Sequence, residues 1–561
     1  MWWYRVSRKS PAMSIATNSA ALPASTRRQI LKTAAFGASA LLLPDWARAA
    51  GLLTASGFTH SVASGEPAAH EVLLWTRYVP TNRGPADVRV ELSETEDFAR
   101  IVSGGAMQTG PWRDHTVKIV ATGLMPARRY FFRFIAPDGS MSPIGRTRTL
   151  PADGRQPWRA AVFSCSNLPF GWFNAYAHAA ASDAFDCTIH LGDYFYEYQR
   201  GTYPTLQEAL PGRVILPEGT TVHTADYRLR FASYRADPDM QELHRRFPMI
   251  AQWDDHESAN DSWEGGAEHH DPATDGDWGA RKDAAMQVYR EWMPVSEAPW
   301  AAYDIGGLAT LFRTETRVLG RTRQPDIAPL FKDADPVAAL KSFRDGAWQD
   351  PAASMMGSEQ EAWLAVAMQR SVRSGRPWQI VGFGTIMGNT VMPRAAQGWL
   401  ANEAPGTARY IGAGLTAASV GLPFNFDSWG GYPAARARFL RQVQGVGGNT
   451  VVLSGDSHNA WAYNLMHEGK PAAVEFAGHS VTSPGFEHDV RTASATVARA
   501  LVEDNPELAW CDTARRGYMA LTVTADAVTN EWIMLDTIRE RSIAATVGHR
   551  ATVRAGAHRM G

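Results

Sequence analysis

Three cysteines in 561 residues are too few to staple a fold. Cys165, Cys187 and Cys511 form one pair at most, so an oxidising compartment leaves at least one thiol unpaired and in need of an explanation. Long apolar runs are also lacking. No segment reaches the about 18 residues that span a bilayer, and AAFGASALLL (Ala34–Leu43) falls well short, which argues against a membrane-spanning anchor. An excess of positive charge is missing as well: 55 Lys and Arg stand against 57 Asp and Glu. Such a chain has no global attraction for nucleic acid or anionic membranes, no nucleic-acid-binding module is evident, and an anionic substrate needs a local positive feature such as metal ions. What the chain does have is 45% hydrophobic residues and 20 Trp, enough to bury a sizeable core in more than one domain.

The first 49 residues read as a cleaved leader. TRRQILK (Thr26–Lys32) carries paired arginines, the short apolar stretch follows, and Ala47, Arg48 and Ala49 form an A-x-A cleavage site, with Met13 a candidate start. This resembles a twin-arginine export signal and places the protein in the periplasm or outside the cell, with the twin-arginine machinery as a partner. Without the leader, 48 basic residues face 56 acidic ones, a net charge of −8.

Two patterns follow. From Phe58 to Pro151 short alternating runs such as VLLWTRYV, VRVEL and RYFFRF, separated by turn signals, predict a small β-sandwich over 57–151. ADGRQP (Ala152–Pro157) reads as a linker. Beyond it strand and helix alternate, the α/β signature, over 157–540. In GSEQEAWLAVAMQRSVRSG the spacing predicts a helix capped by Ser358 and Glu361 and stopped at Gly375. Residues 200–222, 262–282 and 391–431 read as long loops, and 541–561 as a loose basic tail.

The chemistry lies where apolar runs end. AVFSC closes on Cys165, TIHLGD on Asp193, PMIAQWDDH on Asp254, Asp255 and His256, and VVLSGDSH on Asp456 and His458. Each has an ordinary structural explanation alone: a turn Asp, a small buried Cys, a helix N-terminus. Four strand ends with one chemical bias point instead to a crevice at the carboxyl edge of a sheet. Carboxylates, imidazole, thiolate and phenolate together suit two or more cations, which polarise a phosphoryl oxygen, acidify water and clamp the leaving oxygen. Asp193 is placed to bridge, and His256 to act as general acid.

At these residues the chain resembles the PhoD-like alkaline phosphatases, a branch of the calcineurin-like metallophosphoesterases. The resemblance runs in order through FTHSVASGEP, LLWTR, FSCSN, HLGDYFYE, FPMIAQWDDHESAND, SEQEAWL, DSWGGYPAAR, VVLSGDSHNAW, VEFAGHSVTSPG and NPELAWCDTARRGY. It implies an α/β/β/α metallophosphoesterase domain after an immunoglobulin- or fibronectin-like sandwich. It further implies Fe3+ held by Cys165, Asp193, Tyr196 and His458, and Ca2+, two ions, beside it on Asp193, Asp255, Asp456 and either Asn260 or Asp254. Asn260 and Arg516 become candidate phosphate contacts, with a structural salt bridge the equal alternative for Arg516. Two departures stand out: Asn260 is followed by Asp261 where the family commonly pairs two asparagines, and ETR (Glu315–Arg317) replaces the usual DTR. The expected function is an exported phosphoesterase, a monomer acting on phosphomonoesters, phosphodiesters or both. The rivals are a phospholipase-type phosphodiesterase and a non-catalytic envelope binding protein.

Overall fold

The computed structural model describes residue 51 and residues 55–561. The leader, with its arginine pair and cleavage site, lies outside the described residues.

Two sheets pack face to face. The first runs, in spatial order, Ala545–Arg554, Ala527–Leu535, Gly517–Val523, Trp158–Phe163, Cys187–His190, Pro248–Ala251, Gly57–Gly65, Glu71–Val79 and Thr116–Thr122. The second runs Ala301–Ile305, Ala309–Arg313, Trp378–Gly382, Asn449–Ser454, Lys470–Ala477, Ala460–His467 and Leu508–Asp512. The central strands of both are parallel. They are short, apolar and buried on both faces, which is why they read as continuous hydrophobic runs.

Strand alternation distributes those side chains between layers. Ala160 and Val162 meet Ile380, Val451 and Leu453 of the other sheet in a shared core. Their neighbours Ala161 and Phe163 face outward against the helices Asn174–Ser182, Thr224–Arg235, Pro238–Arg246 and Trp278–Trp292. The second sheet turns Phe312, Val381 and Val452 outward onto the helices Gly357–Arg373, Pro405–Ser419, Pro433–Val446 and Ser494–Asp504.

The N-terminal region is a two-sheet layer around Val62, Leu74, Val88, Val90, Phe132 and Phe134. One of its sheets has four strands, and the other is continuous with the first large sheet. Strand Gly57–Gly65 pairs in parallel with Pro248–Ala251, Ser64 opposite Pro248 and Gly65 opposite Met249. Gly65 is required there, since a Cβ would sit 2.0 Å from the Pro294 carbonyl oxygen.

Three expectations are corrected. The residues 541–561 are not a loose tail: Ala545–Arg554 is an edge strand on Ala527–Leu535, with Ala551 and Val553 turned into the core and His549 stacked 4.2 Å from Trp510. The span 391–431 contains the helix Pro405–Ser419, concealed by Gly406, Gly412 and Gly414. Its buried face of Tyr410, Ile411, Gly414 and Ala417 nevertheless keeps helical spacing. The helix Gly357–Arg373 is not capped by Ser358; the Ser354 hydroxyl accepts from the Met356 and Gly357 N–H groups at 3.3 and 2.8 Å, and Ser354 Oγ meets Glu361 Oε1 at 3.2 Å. Gly375, at φ +80°, closes this helix as expected.

Candidate metal centre

The predicted residues meet at the carboxyl ends of the parallel strands. Cys165, Asp193, Asp456 and His458 all follow strands and all adopt left-handed backbone, with φ of 60°, 55°, 61° and 62°. Each such non-glycine residue costs on the order of 1–3 kcal/mol, and residues held this way cluster at functional sites. The sharp turn aims each side chain into the crevice. Two glycines let the strand ends approach: a Cβ on Gly192 would lie 2.4 Å from Asp254 Cβ, and one on Gly384 would lie 2.0 Å from Asp254 Oδ1.

Two donor sets result. In one, Cys165, Asp193 and His458 bring ligand atoms within 4.8 Å of one another. The Tyr196 hydroxyl joins them, 3.2 Å from Asp193 Oδ2 and 3.0 Å from His458 Nε2. His458 lies 2.9 Å from the Pro484 carbonyl through Nδ1, which donates there and leaves Nε2 as the free lone pair. In the other set Asp193, Asp254, Asp255 and Asp456 converge within the same limit. Asp193 belongs to both.

The charge balance is unfavourable for protein alone. Of the buried Asp193, Asp254, Asp255, Asp261, Asp427 and Asp456, four face Arg317 and one of these, Asp427, also faces Arg321. Arg317 forks onto Asp254 at 2.6 and 2.8 Å, reaches Asp427 at 2.7 Å, and lies 3.7 Å from Asp255 and 3.8 Å from Asp456. Even so, burial, reinforced by Asp255, Asp254 and Glu257 and opposed by His256, raises Asp193 well above the usual carboxylate range. Burial likewise raises Asp254, against Arg317, and Asp456. Burial and Asp193 push the Cys165 thiol and the Tyr196 phenol well up. Asp193 Oδ1, Asp255 Oδ1 and His256 Nε2 are buried without a hydrogen-bond partner. Cations in the crevice would satisfy the two carboxylate oxygens and ionise these acids, so the residues fit metal ions. Thiolate, phenolate and imidazole suit a transition metal; the all-carboxylate set suits a hard cation.

His256 stands beside both sets. Its Nδ1 is 2.7 Å from Glu197 Oε2, which leaves Nε2 facing the crevice. Burial opposes a charge on this ring, but Asp255, Glu197 and Asp193 outweigh it and raise His256 well above its ordinary value. Glu197 is itself buried yet held low by His256 and His269, the latter 2.7 Å from Oε1. It also accepts the Asn260 N–H at 3.0 Å.

The remaining predicted residues divide. Asn260 lies here, its Nδ2 donating to Glu268 at 2.7 Å and its Oδ1 unpartnered. Arg516 makes the salt bridge that is its alternative to a phosphate contact, to Glu487, and donates to the His458 and Ser483 carbonyls at 2.7 and 2.8 Å and to Ala514 at 2.9 Å, so it fixes the loop behind His458. Glu315 of the departing ETR is structural, accepting from Trp253 and from the N–H groups of Arg317, Val318 and Leu319 at 2.7–3.0 Å. Sequence reasoning assigned no role to Arg317, Asp427, Glu197 or Thr385, whose hydroxyl donates to Asp456 at 2.6 Å. Glu197 and Asp427 lay within recognised motifs, HLGDYFYE and DSWGGYPAAR, and that was the available signal.

Comparison with known proteins agrees with this geometry. Residues 160–532 match the family described as PhoD-like phosphatase, and residues 46–151 match the PhoD-like phosphatase N-terminal domain. Alkaline phosphatase D of Bacillus subtilis (strain 168) is 31% identical over 492 residues, covering 83% of this chain and 76% of that protein. The solved structure of PhoD superposes with a TM-score of 0.74 at 26% identity, covering 90% of this chain and 92% of that one. A purple acid phosphatase from yellow lupin (Lupinus luteus) seeds shares the fold at a TM-score of 0.54 and 13% identity, over 89% of this chain and 74% of its own.

Proposed function

The chain belongs to the PhoD-like phosphatases and is a phosphoric ester hydrolase, and from that premise we propose that it is an exported enzyme dependent on Fe3+ and Ca2+ that releases phosphate from phosphomonoesters, phosphodiesters or both. Cys165, Asp193, Tyr196 and His458 hold the iron; Asp193, Asp255, Asp456 and the Asn260 oxygen serve calcium. Asp254 supports that side while its two oxygens are engaged by Arg317. When bound, the ions supply Lewis-acid polarisation of the phosphoryl group and a water acidified towards neutrality.

The protein's own groups do the rest. Asp193, shared by both donor sets, fixes their separation. Glu197 holds His256 Nδ1, so that Nε2 can carry the proton delivered to the leaving oxygen. Arg317 offsets the carboxylates that the substrate's negative charge would otherwise meet. Ser483 donates to the Tyr196 hydroxyl at 2.7 Å and steadies the phenol. The arginine pair and the A-x-A site support export by the twin-arginine route.

The observation that carries this reading is the convergence of buried, unpartnered Asp193, Asp255 and His256 atoms on one crevice. Elemental analysis of the purified protein, with phosphate release from a monoester and a diester, tests it. Iron and calcium should be present, and Cys165→Ala and Tyr196→Phe should lose iron together with activity. Absence of iron, or full activity in both variants, overturns the ligand assignment.

A further inference from the structure

Beside the metal centre opens a narrow pocket of about 90 Å³, continuous with it through Asp456 and His458. Its walls are Tyr203, Ile386, Tyr410, Phe424, Trp461 and Phe486. The rings brace one another: Phe424 and Phe486 meet edge to face at 6.1 Å, Phe486 and Trp461 at 5.9 Å, and Tyr203 stacks on the His458 ring at 6.4 Å and 14°. No Lys or Arg is among the lining residues.

Four of the lining polar side chains make their hydrogen bonds inside the wall. Ser457 Oγ accepts from the Trp461 indole at 2.7 Å, and Asn425 Oδ1 accepts from the Asp427 N–H at 2.8 Å. His488 lies between Glu208 at 2.7 Å and Asp489 at 3.1 Å, and the Tyr410 hydroxyl donates to the Phe424 carbonyl at 3.3 Å. A sugar, polyol or second phosphate entering here would lose its water and find few free partners, whereas a neutral apolar group would lose only water.

We infer that this pocket receives the alcohol part of the ester and selects phosphoesters whose leaving group is neutral and apolar, branched alkyl or aromatic. The inference rests on the phosphoesterase reading and on the placement of His458 and Asp456 at the reacting phosphorus. Phe424 and Phe486 are then specificity-determining residues, with partial exposure towards the pocket that the buried Trp461 lacks.

The test compares 3,3-dimethylbutyl phosphate with glycerol phosphate and with phosphocholine on the metal-containing enzyme. All three are esters of alkyl alcohols, and the first is the neutral carbon counterpart of the third. The expected kcat/KM for 3,3-dimethylbutyl phosphate exceeds that for either of the others by roughly tenfold or more, the range a hydrophobic pocket supplies. In Phe486→Ala and Phe424→Ala that ratio should fall towards one, and in Phe486→Leu it should largely return. A ratio taken on one preparation does not depend on the fraction folded, so a poorly folding variant still gives an answer. Equal kcat/KM on the neutral and polyol esters, a preference for phosphocholine, or a ratio unmoved in both alanine variants overturns the inference while leaving the phosphoesterase reading intact. No turnover of these three or of bis(4-nitrophenyl) phosphate overturns the phosphoesterase reading itself.

Discussion

At His256 a single carboxylate decides what the imidazole can do. Glu197 accepts the hydrogen bond from Nδ1–H at 2.7 Å and so commits Nε2 to the crevice, while the Tyr196 ring, 4.1 Å away between centroids, holds the plane. Glu197→Gln keeps the shape but offers an amide whose NH2 can point at Nδ1, which destroys the orienting bond. The turnover number should fall about 10–100-fold, as for other groups that orient a functional histidine. KM should change little, and full turnover in this variant would remove Glu197 from the mechanism. Arg317 is the complementary case, a cation rather than a proton position. Its guanidinium is fully buried between Asp254 and Asp427, and Arg317→Met would leave both carboxylates uncompensated. Breaking a buried pair from one side costs about 3–5 kcal/mol. The denaturant midpoint should drop accordingly, and an unchanged midpoint would mean that other cations carry the charge.

The strand end is the element on which the site is built, and it is also where the sequence was most legible. Cys165, Asp193, Asp255 and Asp456 stood out because a short apolar run followed by a ligand-type residue is a local pattern, readable without knowing the fold. Arg317 lies 110 positions from Asp427 and 63 from Asp254, and a contact of that separation leaves no local trace. The helix Pro405–Ser419 failed for a different reason: its glycines lower intrinsic helicity, and tertiary packing, with Gly414 against Met392, restores it. Loops show the same dependence on distant partners. His488, in the turn after Phe486, ties residues 486–489 to Glu208 across the chain. Hydrogen bonding to Asp489, with a further contribution from Glu208 and against the cost of burial, raises His488 from 6.5 to about 9. A raised folded value means that the charged tie contributes fully below 6.5 and is lost as pH rises through about 9. The melting temperature should therefore decline across that window, and His488→Gln should flatten the decline. A profile identical in the variant would assign the alkaline loss to other groups.

On the scale of the whole molecule the first sheet is one continuous object from the N-terminal layer to the C-terminal strand. Gly57–Gly65 joins it at Pro248–Ala251, the strand that leads to Asp254, and Ala545–Arg554 closes the sheet's far edge. The N-terminal region is thus an extension of the catalytic sheet, coupled further by the Trp75 indole donating to the Glu291 carbonyl at 2.8 Å. The terminal strand makes the sharper test, because sequence composition and structure assign it opposite roles. Removing residues 545–561 strips the backbone partners from one side of Ala527–Leu535 and takes away the buried Val553, whose burial alone is worth about 1.5–3 kcal/mol. It also bares a new edge carrying Trp532 and Ile533 beside the vacated strand, the kind of edge that pairs with other chains. The truncated protein should melt several degrees lower and aggregate faster on heating. The strand leading to Cys165 is separated from the vacated position by two further strands, so the fraction that stays folded should retain its kcat. A melting temperature equal to that of the full chain would return these residues to the status of a tail. A parallel loss of kcat in the folded fraction would show that the edge strand, through Gly517–Val523 and the adjoining Arg516 brace, holds His458 in place.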